Sequence, residues 1–298
     1  MTNEDKDLFG NTIEKKKILR EQFIEPPFTI LDSKQGNWQR RKRTWKDLGI
    51  KSEVGRSDVK GNGFAQHMNK TNHAESTQRI VDVGTISIFD PALCELMYKW
   101  FCKEGGKILD PFAGGSVRGI VAEYLGFKYT GIDIRKEQID SNVEQGIEIL
   151  EEDQQPNWIL GDANKELDSV KEEFDFVFSC PPYGDLEIYS NLEGDISNMD
   201  YEDFLKSYTE IIDKSCKLLK QNSYACFVIG DFRDKKGNYR GFVADTIKAF
   251  QSCGMPFYND AVYVSPVGSA SMRAATNMKN QKLVKIHQNI LVFKKCLN

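Results

Sequence analysis

Histidine is scarce in this chain: three residues, His67, His73 and His287, among 298. A histidine-rich metal centre is therefore not expected, and no metal is predicted. The seven cysteines (94, 102, 180, 216, 226, 253 and 296) are an odd number, widely spaced, with no CxxC pair. That disfavours a disulfide framework or a zinc site and suits a reducing, cytoplasmic setting. No apolar run approaches the length of a membrane span, so no membrane partner is expected. The opening MTNEDKDLFG is polar and acidic, without the apolar core of a secretory signal. Nor is there an overall excess of positive charge, since the formal net charge is −4. There is no internal repeat and no low-complexity tract.

What remains is an ordinary soluble composition, 40% hydrophobic and 28% charged, sufficient for a sizeable core. The charge is unevenly placed. Lys34 to Lys60 holds nine Lys/Arg against three Asp/Glu, which leaves the rest of the chain acidic. A basic segment on an acidic body suits local engagement of a polyanion. A solvated helix face would give the same count. Inside this segment Arg40, Arg41, Lys42 and Arg43 lie between Trp38 and Trp45. Two readings stay open: the arginines contact phosphates with a ring available for stacking, or the tryptophans dock the arm on the core.

Residues 1–83 show no clear periodicity and form an N-terminal extension; regular patterning occupies 84–298. FDPALCELMYKWF (89–101) has helical spacing, with Asp90 placed to cap and Pro91 at the first helical position. Beyond it short apolar strands alternate with helices: KILDPFAGG (107–115), a short strand breaking into a glycine turn, then KYTGIDI, NWILGDA (157–163), FDFVFSC and YACFVIGDF. Near-continuous apolar strands are expected when helices cover both sheet faces. FYNDAVYVSPVG and HQNILVFKK pair as a C-terminal hairpin. The predicted fold is α/β: a doubly wound, mostly parallel, Rossmann-like sheet with a C-terminal antiparallel hairpin.

Ligands of such sheets bind beyond the carboxyl ends of the strands. The first strand delivers DPFAGG, Asp110 to Gly115. Its glycines let the backbone approach a ligand closely, and the helix after it offers free N–H groups. The second delivers Asp133 in GIDIR, placed to accept both hydroxyls of a ribose. The third delivers Asp162 in LGDA, placed to accept from an adenine amine. Together they describe an adenosine site with a carboxylate or phosphate nearby. A NAD site is disfavoured because the turn reads GG-S rather than GxGxxG. The fourth strand delivers SCPPYGD, Ser179 to Asp185, in which two prolines stop a strand and stiffen the backbone beyond it.

DPFAGG, GIDI, LGDA and the PPY-type tetrapeptide CPPY in one α/β domain resemble the S-adenosylmethionine-dependent amino-methyltransferases of DNA, of the kind carried by phages and mobile elements. Those enzymes methylate the exocyclic amine of adenine (N6) or cytosine (N4). The resemblance implies S-adenosylmethionine as cofactor and DNA as partner. It places the cofactor at Phe89 and Asp90, at Asp110, Pro111, Phe112, Gly114 and Gly115, at Asp133 and Ile134, and at Asp162 and Ala163. It places the chemistry at Cys180, Pro181, Pro182 and Tyr183. The side chain at 180 and the Pro181 carbonyl would accept from the amine, and Tyr183 would stack on a base taken out of the duplex. Cysteine departs from the Asp, Asn or Ser usual there. It stands as a serine-sized substitute helped by Ser179 or Asp185, as a mark of lost activity, as a nucleophile toward a cytosine carbon, or as plain packing. The last-but-one is disfavoured because such enzymes place their cysteine after the proline.

On the target side, Arg40, Arg41 and Arg43, Lys235 and Lys236, and Arg273 in the long loop 265–285 are candidate DNA contacts. The acidic stretch 185–203 is a candidate lid. Alternatives to a DNA methyltransferase are methyl transfer to an RNA base or protein amide, and a silent nucleic-acid-binding module of the same fold.

Overall fold

The computed structural model describes residues 18–51, 89–184, 190, 192–265 and 270–296. Asp185 and residues 52–60 of the basic segment lie outside them. In chain order the elements are α1 (Leu19–Phe23), β1 (Ile30–Asp32), α2 (Gly36–Asp47), α3 (Pro91–Phe101), β2 (Lys107–Asp110), α4 (Val117–Tyr124), β3 (Lys128–Asp133), α5 (Lys136–Ile149), β4 (Asn157–Leu160), α6 (Ala163–Ser169), β5 (Phe174–Ser179), α7 (Tyr201–Lys217), β6 (Leu219–Ile229), α8 (Phe242–Ser252), β7 (Phe257–Val264), α9 (Ala270–Met278) and β8 (His287–Lys294).

Eight strands form one sheet in the order β4-β3-β2-β5-β6-β8-β7-β1. All neighbours are parallel except β8, which runs antiparallel to both β6 and β7. The chain winds outward one way from β2 through β3 and β4. It then returns to place β5 and β6 on the other side. The reversal between β2 and β5 opens a crevice at their carboxyl ends.

The strands bury both faces because their side chains alternate. Phe176 and Phe178 of β5 point into one cluster with Ala92, Leu96 and Tyr98 of α3 and Val121 of α4. Val177 points into the other, with Phe204, Tyr208 and Ile212 of α7 and Phe242 and Phe250 of α8. On α7 these apolar residues recur every three or four positions, which gives one buried face. Asp200 caps that helix, accepting from the backbone N–H groups of Glu202 and Asp203.

Three elements were not visible as patterns. β1 adds a parallel strand beside β7, and α2 packs on α3. Trp38 and Trp45 are both buried, seven residues apart on one side of α2. The third is α9, which occupies part of what reads as a long loop. Its ASMRAATNM is rich in good helix formers and has no buried residue.

Candidate functional site

Asp110 closes β2, and its carboxylate is wholly buried. It accepts four hydrogen bonds: from the Phe112 amide at 3.1 Å, Arg118 Nε, the Tyr129 hydroxyl at 2.8 Å and Ser179 Oγ at 2.5 Å. Burial and the Asp110 charge push the Tyr129 phenol well up, so it stays a donor. Arg118, on α4, is itself buried. Burial works against its charge, but Asp110 more than compensates and raises its pKa. Its Nη2 donates to the carbonyls of Phe112 at 2.6 Å and Ala113 at 2.7 Å. One guanidinium thus folds the DPFAGG turn back on its own strand. With its oxygens engaged inside the protein, Asp110 shapes the turn and ties it to β5.

Gly114 is the partly exposed tip of that turn, at φ +55°, a conformation that favours glycine. Its N–H donates to Asp133 Oδ2 at 2.9 Å, and its carbonyl accepts from Asn142 Nδ2 at 2.7 Å. Asp133, at the end of β3, is partly exposed and also accepts from the Arg135 amide at 2.8 Å. Asp162, following β4, accepts from the Asn164 amide at 2.9 Å and is partly exposed. Gly194, from the candidate lid, stands against it. A Cβ on Gly194 would come within 2.8 Å of Asp162 Oδ2, and its φ is +92°. The glycine turn and two partly exposed carboxylates on consecutive strand ends suit the hydroxyl and amine donors of an adenosine. Ile134 is partly exposed beside Asp133, and Ala163 is buried beside Asp162. Pro111 and Gly115 are buried in the turn, and Phe112 is partly exposed.

Phe89 and Asp90 divide. Phe89 is partly exposed, with the Arg118 guanidinium 4.8 Å from its ring centre and Phe178 edge-on at 5.7 Å. Asp90 is buried and does not face the crevice. It caps α3 through the Ala92 amide, and its Oδ2 accepts from Trp38 Nε1, Lys42 Nζ and the Tyr263 hydroxyl. Through Trp38 and Lys42 it pins the N-terminal arm.

β5 ends beside β2, so SCPPY meets the glycine turn across the crevice, fastened by the Ser179–Asp110 bond. Cys180 is partly exposed and in no disulfide. It lies near enough to Arg118 and Tyr208 to act on the charge of each. The nearby cation that the flanking sequence lacks thus comes from α4. Pro181 is buried and Pro182 partly so. The Tyr183 ring stands edge-on to Phe232 at 5.9 Å and Phe242 at 6.2 Å. Its hydroxyl accepts from Gln288 Nε2 at 2.8 Å.

The predicted target-side residues do not gather at one place. Arg41 Nη1 donates to Glu95 at 2.6 Å and Trp45 Nε1 to the same carboxylate at 3.0 Å. Arg41 and Trp45 thus dock α2 on α3. Arg40 and Arg43 are exposed. Lys235 and Lys236 are exposed in a turn joining the bridged residues Arg233 and Tyr239, near the carboxyl end of β6. Arg273 is partly exposed on α9. Arg118, Asn142 and Gln288 had no motif to announce them. Arg118 alone left a trace, as a charged residue in the apolar face of SVRGIVAEYLGF. Among the described residues no group of three or more His, Cys, Asp and Glu could hold a metal, and no helix is long and apolar enough to cross a membrane.

The strand order, the glycine turn and the carboxylates after β3 and β4 define a Rossmann-like, doubly wound sheet with a candidate ligand site at its carboxyl edge. Residues 10–144 match the model of the N6/N4 family, described as DNA methylase. The matched span ends ahead of SCPPYGD. No curated protein matches the chain. Among solved structures it is similar to TrmN from Thermus thermophilus, with TM-score 0.46 and 14% identity over 72% of this chain and 51% of that one. It therefore spans about half the length of TrmN. A SAM-dependent methyltransferase from Methanosarcina mazei gives TM-score 0.44 and 14% identity over 66% and 96%. A candidate DNA modification methylase, also from Thermus thermophilus, gives 0.35 and 21% over 46% and 51%.

Proposed function

We propose that the chain methylates the exocyclic amine of adenine or cytosine in DNA. The observation that carries this reading is the fastening of the glycine turn to SCPPY at the switch point, through Ser179, Asp110 and Arg118. It sets a candidate cofactor site and a candidate amine site on adjoining strand ends.

When bound, S-adenosylmethionine supplies a methyl group on a sulfonium, already activated for in-line attack. Asp133 would hold the ribose hydroxyls of its adenosine portion and Asp162 the amine, and the turn at Gly114 would admit the chain that carries the sulfonium. The target base leaves the duplex and stacks on Tyr183, whose ring is fixed by Phe232, Phe242 and Gln288. An exocyclic amine is a poor nucleophile because its lone pair is shared with the ring. The Pro181 carbonyl and the residue at 180 accept from its N–H groups and draw the nitrogen toward tetrahedral geometry. The rigid prolines hold those acceptors at a fixed separation, so little reorganisation is needed at reaction.

The test is incubation with labelled S-adenosylmethionine and DNA, RNA or protein, then digestion to nucleosides or peptides and mass spectrometry. N6-methyladenine or N4-methylcytosine in DNA is the expected product and tells which base is used. Label in RNA or protein alone would replace DNA as substrate. Cofactor binding with no transfer to any acceptor would leave a silent module.

A further inference from the structure

Lys285 lies just before β8, and β8 runs antiparallel to β6, so Lys285 reaches the carboxyl end of β6. There it meets Gly230. A Cβ at Gly230 would be 3.5 Å from Lys285 Cε, 3.7 Å from the Tyr183 hydroxyl and 3.9 Å from Gln288 Cγ. The absent side chain thus leaves a small recess where a lysine stem, the tip of the Tyr183 ring and its hydrogen-bond partner converge. Lys285 is partly buried. Among the described residues no carboxylate lies within the 4.0 Å of an ion pair. Asp231 is the neighbouring acid, and its Oδ1 is engaged by the amides of Phe232, Gly241 and Phe242. Burial accordingly holds the Lys285 ammonium below its ordinary pKa, with Asp231 only partly opposing, and Lys285 in turn depresses His287.

A lysine held half-buried without a counter-ion is costly unless an anion arrives from outside. Lys235 and Lys236 stand exposed on the nearby turn, and Lys282 packs against Gly237 of that turn. Positive charge therefore lines the approach and reaches deepest at Lys285, next to the ring on which the base is proposed to stack. We propose that Lys285 binds a backbone phosphate of the target strand beside the extruded nucleotide and so positions the base on Tyr183. This rests on the proposed function of the site. An ammonium suits the task because it is a compact point charge that follows a phosphate without demanding planar geometry.

The test is DNA affinity by fluorescence anisotropy across a salt series, for the wild type, Lys285→Gln and Lys285→Arg, with cofactor affinity measured alongside. Losing one phosphate contact lowers the slope of log K against log salt by about 0.9, and weakens binding at 0.1 M salt by about eightfold. Lys285→Arg should keep the slope, and cofactor affinity should stay at the wild-type level in both variants. An unchanged slope in Lys285→Gln, in a wild type that binds and methylates DNA, overturns this inference alone. A wild type that neither binds nor methylates DNA overturns the proposed function and this inference with it.

Discussion

At the scale of single residues, the position before the prolines decides how well the amine is held. A thiol is a weak hydrogen-bond partner compared with a hydroxyl. Cys180→Ser keeps the size and supplies a better partner, so single-turnover transfer should rise by about tenfold, the equivalent of ~1.4 kcal/mol. Cofactor affinity should not change. A slower or unchanged step would mean that the side chain at 180 does not touch the amine. Two further substitutions separate the halves of the site. Asp133→Ala should weaken cofactor binding by calorimetry, since it removes the ribose acceptor and the partner of the Gly114 amide. Tyr183→Ala should leave cofactor affinity intact and lower kcat/KM by the ~1–3 kcal/mol of one stacked base. Full activity in Tyr183→Ala would remove the base from that ring.

Among the elements, the β2–α4 turn is held by side chains rather than by its own backbone. Arg118 spans from Asp110 to two turn carbonyls, and Arg118, Asp110 and Ala113 are all buried. Arg118→Met would leave the Asp110 carboxylate uncompensated in the interior. Urea unfolding should show a loss of about 3–5 kcal/mol, and the cofactor should bind more weakly as the turn relaxes. A loss below about 1 kcal/mol would mean the turn stands without the clasp. This clasp also marks where sequence reading stops. The glycines and DPF announce a turn because backbone demands local residues. Asn142, Ser179 and Arg118 act on that turn from α5, β5 and α4, and nothing local fixes such a partner. Asp90 and Asp110 read as ligand contacts because an acid at an element's end is usually exposed. Here each is covered by hydroxyl, indole or cationic donors from elsewhere. The doubly wound core was legible, since apolar strands spaced by amphipathic helices allow few other packings.

On the scale of the whole molecule, the sheet has two edges with different work. The carboxyl edge carries the candidate site, and the amino edge carries a knot around Asp175. Its carboxylate meets Lys103 at 2.8 Å beyond α3, the Lys107 amide at 2.9 Å on β2 and Lys220 at 2.9 Å on β6. Burial opposes its charge, but the Lys103, Lys107 and Lys220 contacts outweigh it and hold its pKa below the ordinary value. A depressed folded-state pKa means that the unfolded chain takes up the proton first as pH falls. The stabilisation is therefore full above the unfolded value near ~3.9 and drains away as pH drops through the folded value beneath it. Urea unfolding of the wild type should show this as a steepening loss below about pH 4. Asp175→Asn should be less stable at neutral pH and show a flatter acid limb, because the asparagine has no proton to take up. Cofactor and DNA affinity should stay unchanged near neutral pH, since Asp175 lies at the opposite edge from Asp133 and Tyr183. An acid limb as steep in Asp175→Asn as in the wild type would assign the acid sensitivity to other carboxylates. A parallel loss of cofactor affinity would show that the two edges are not independent.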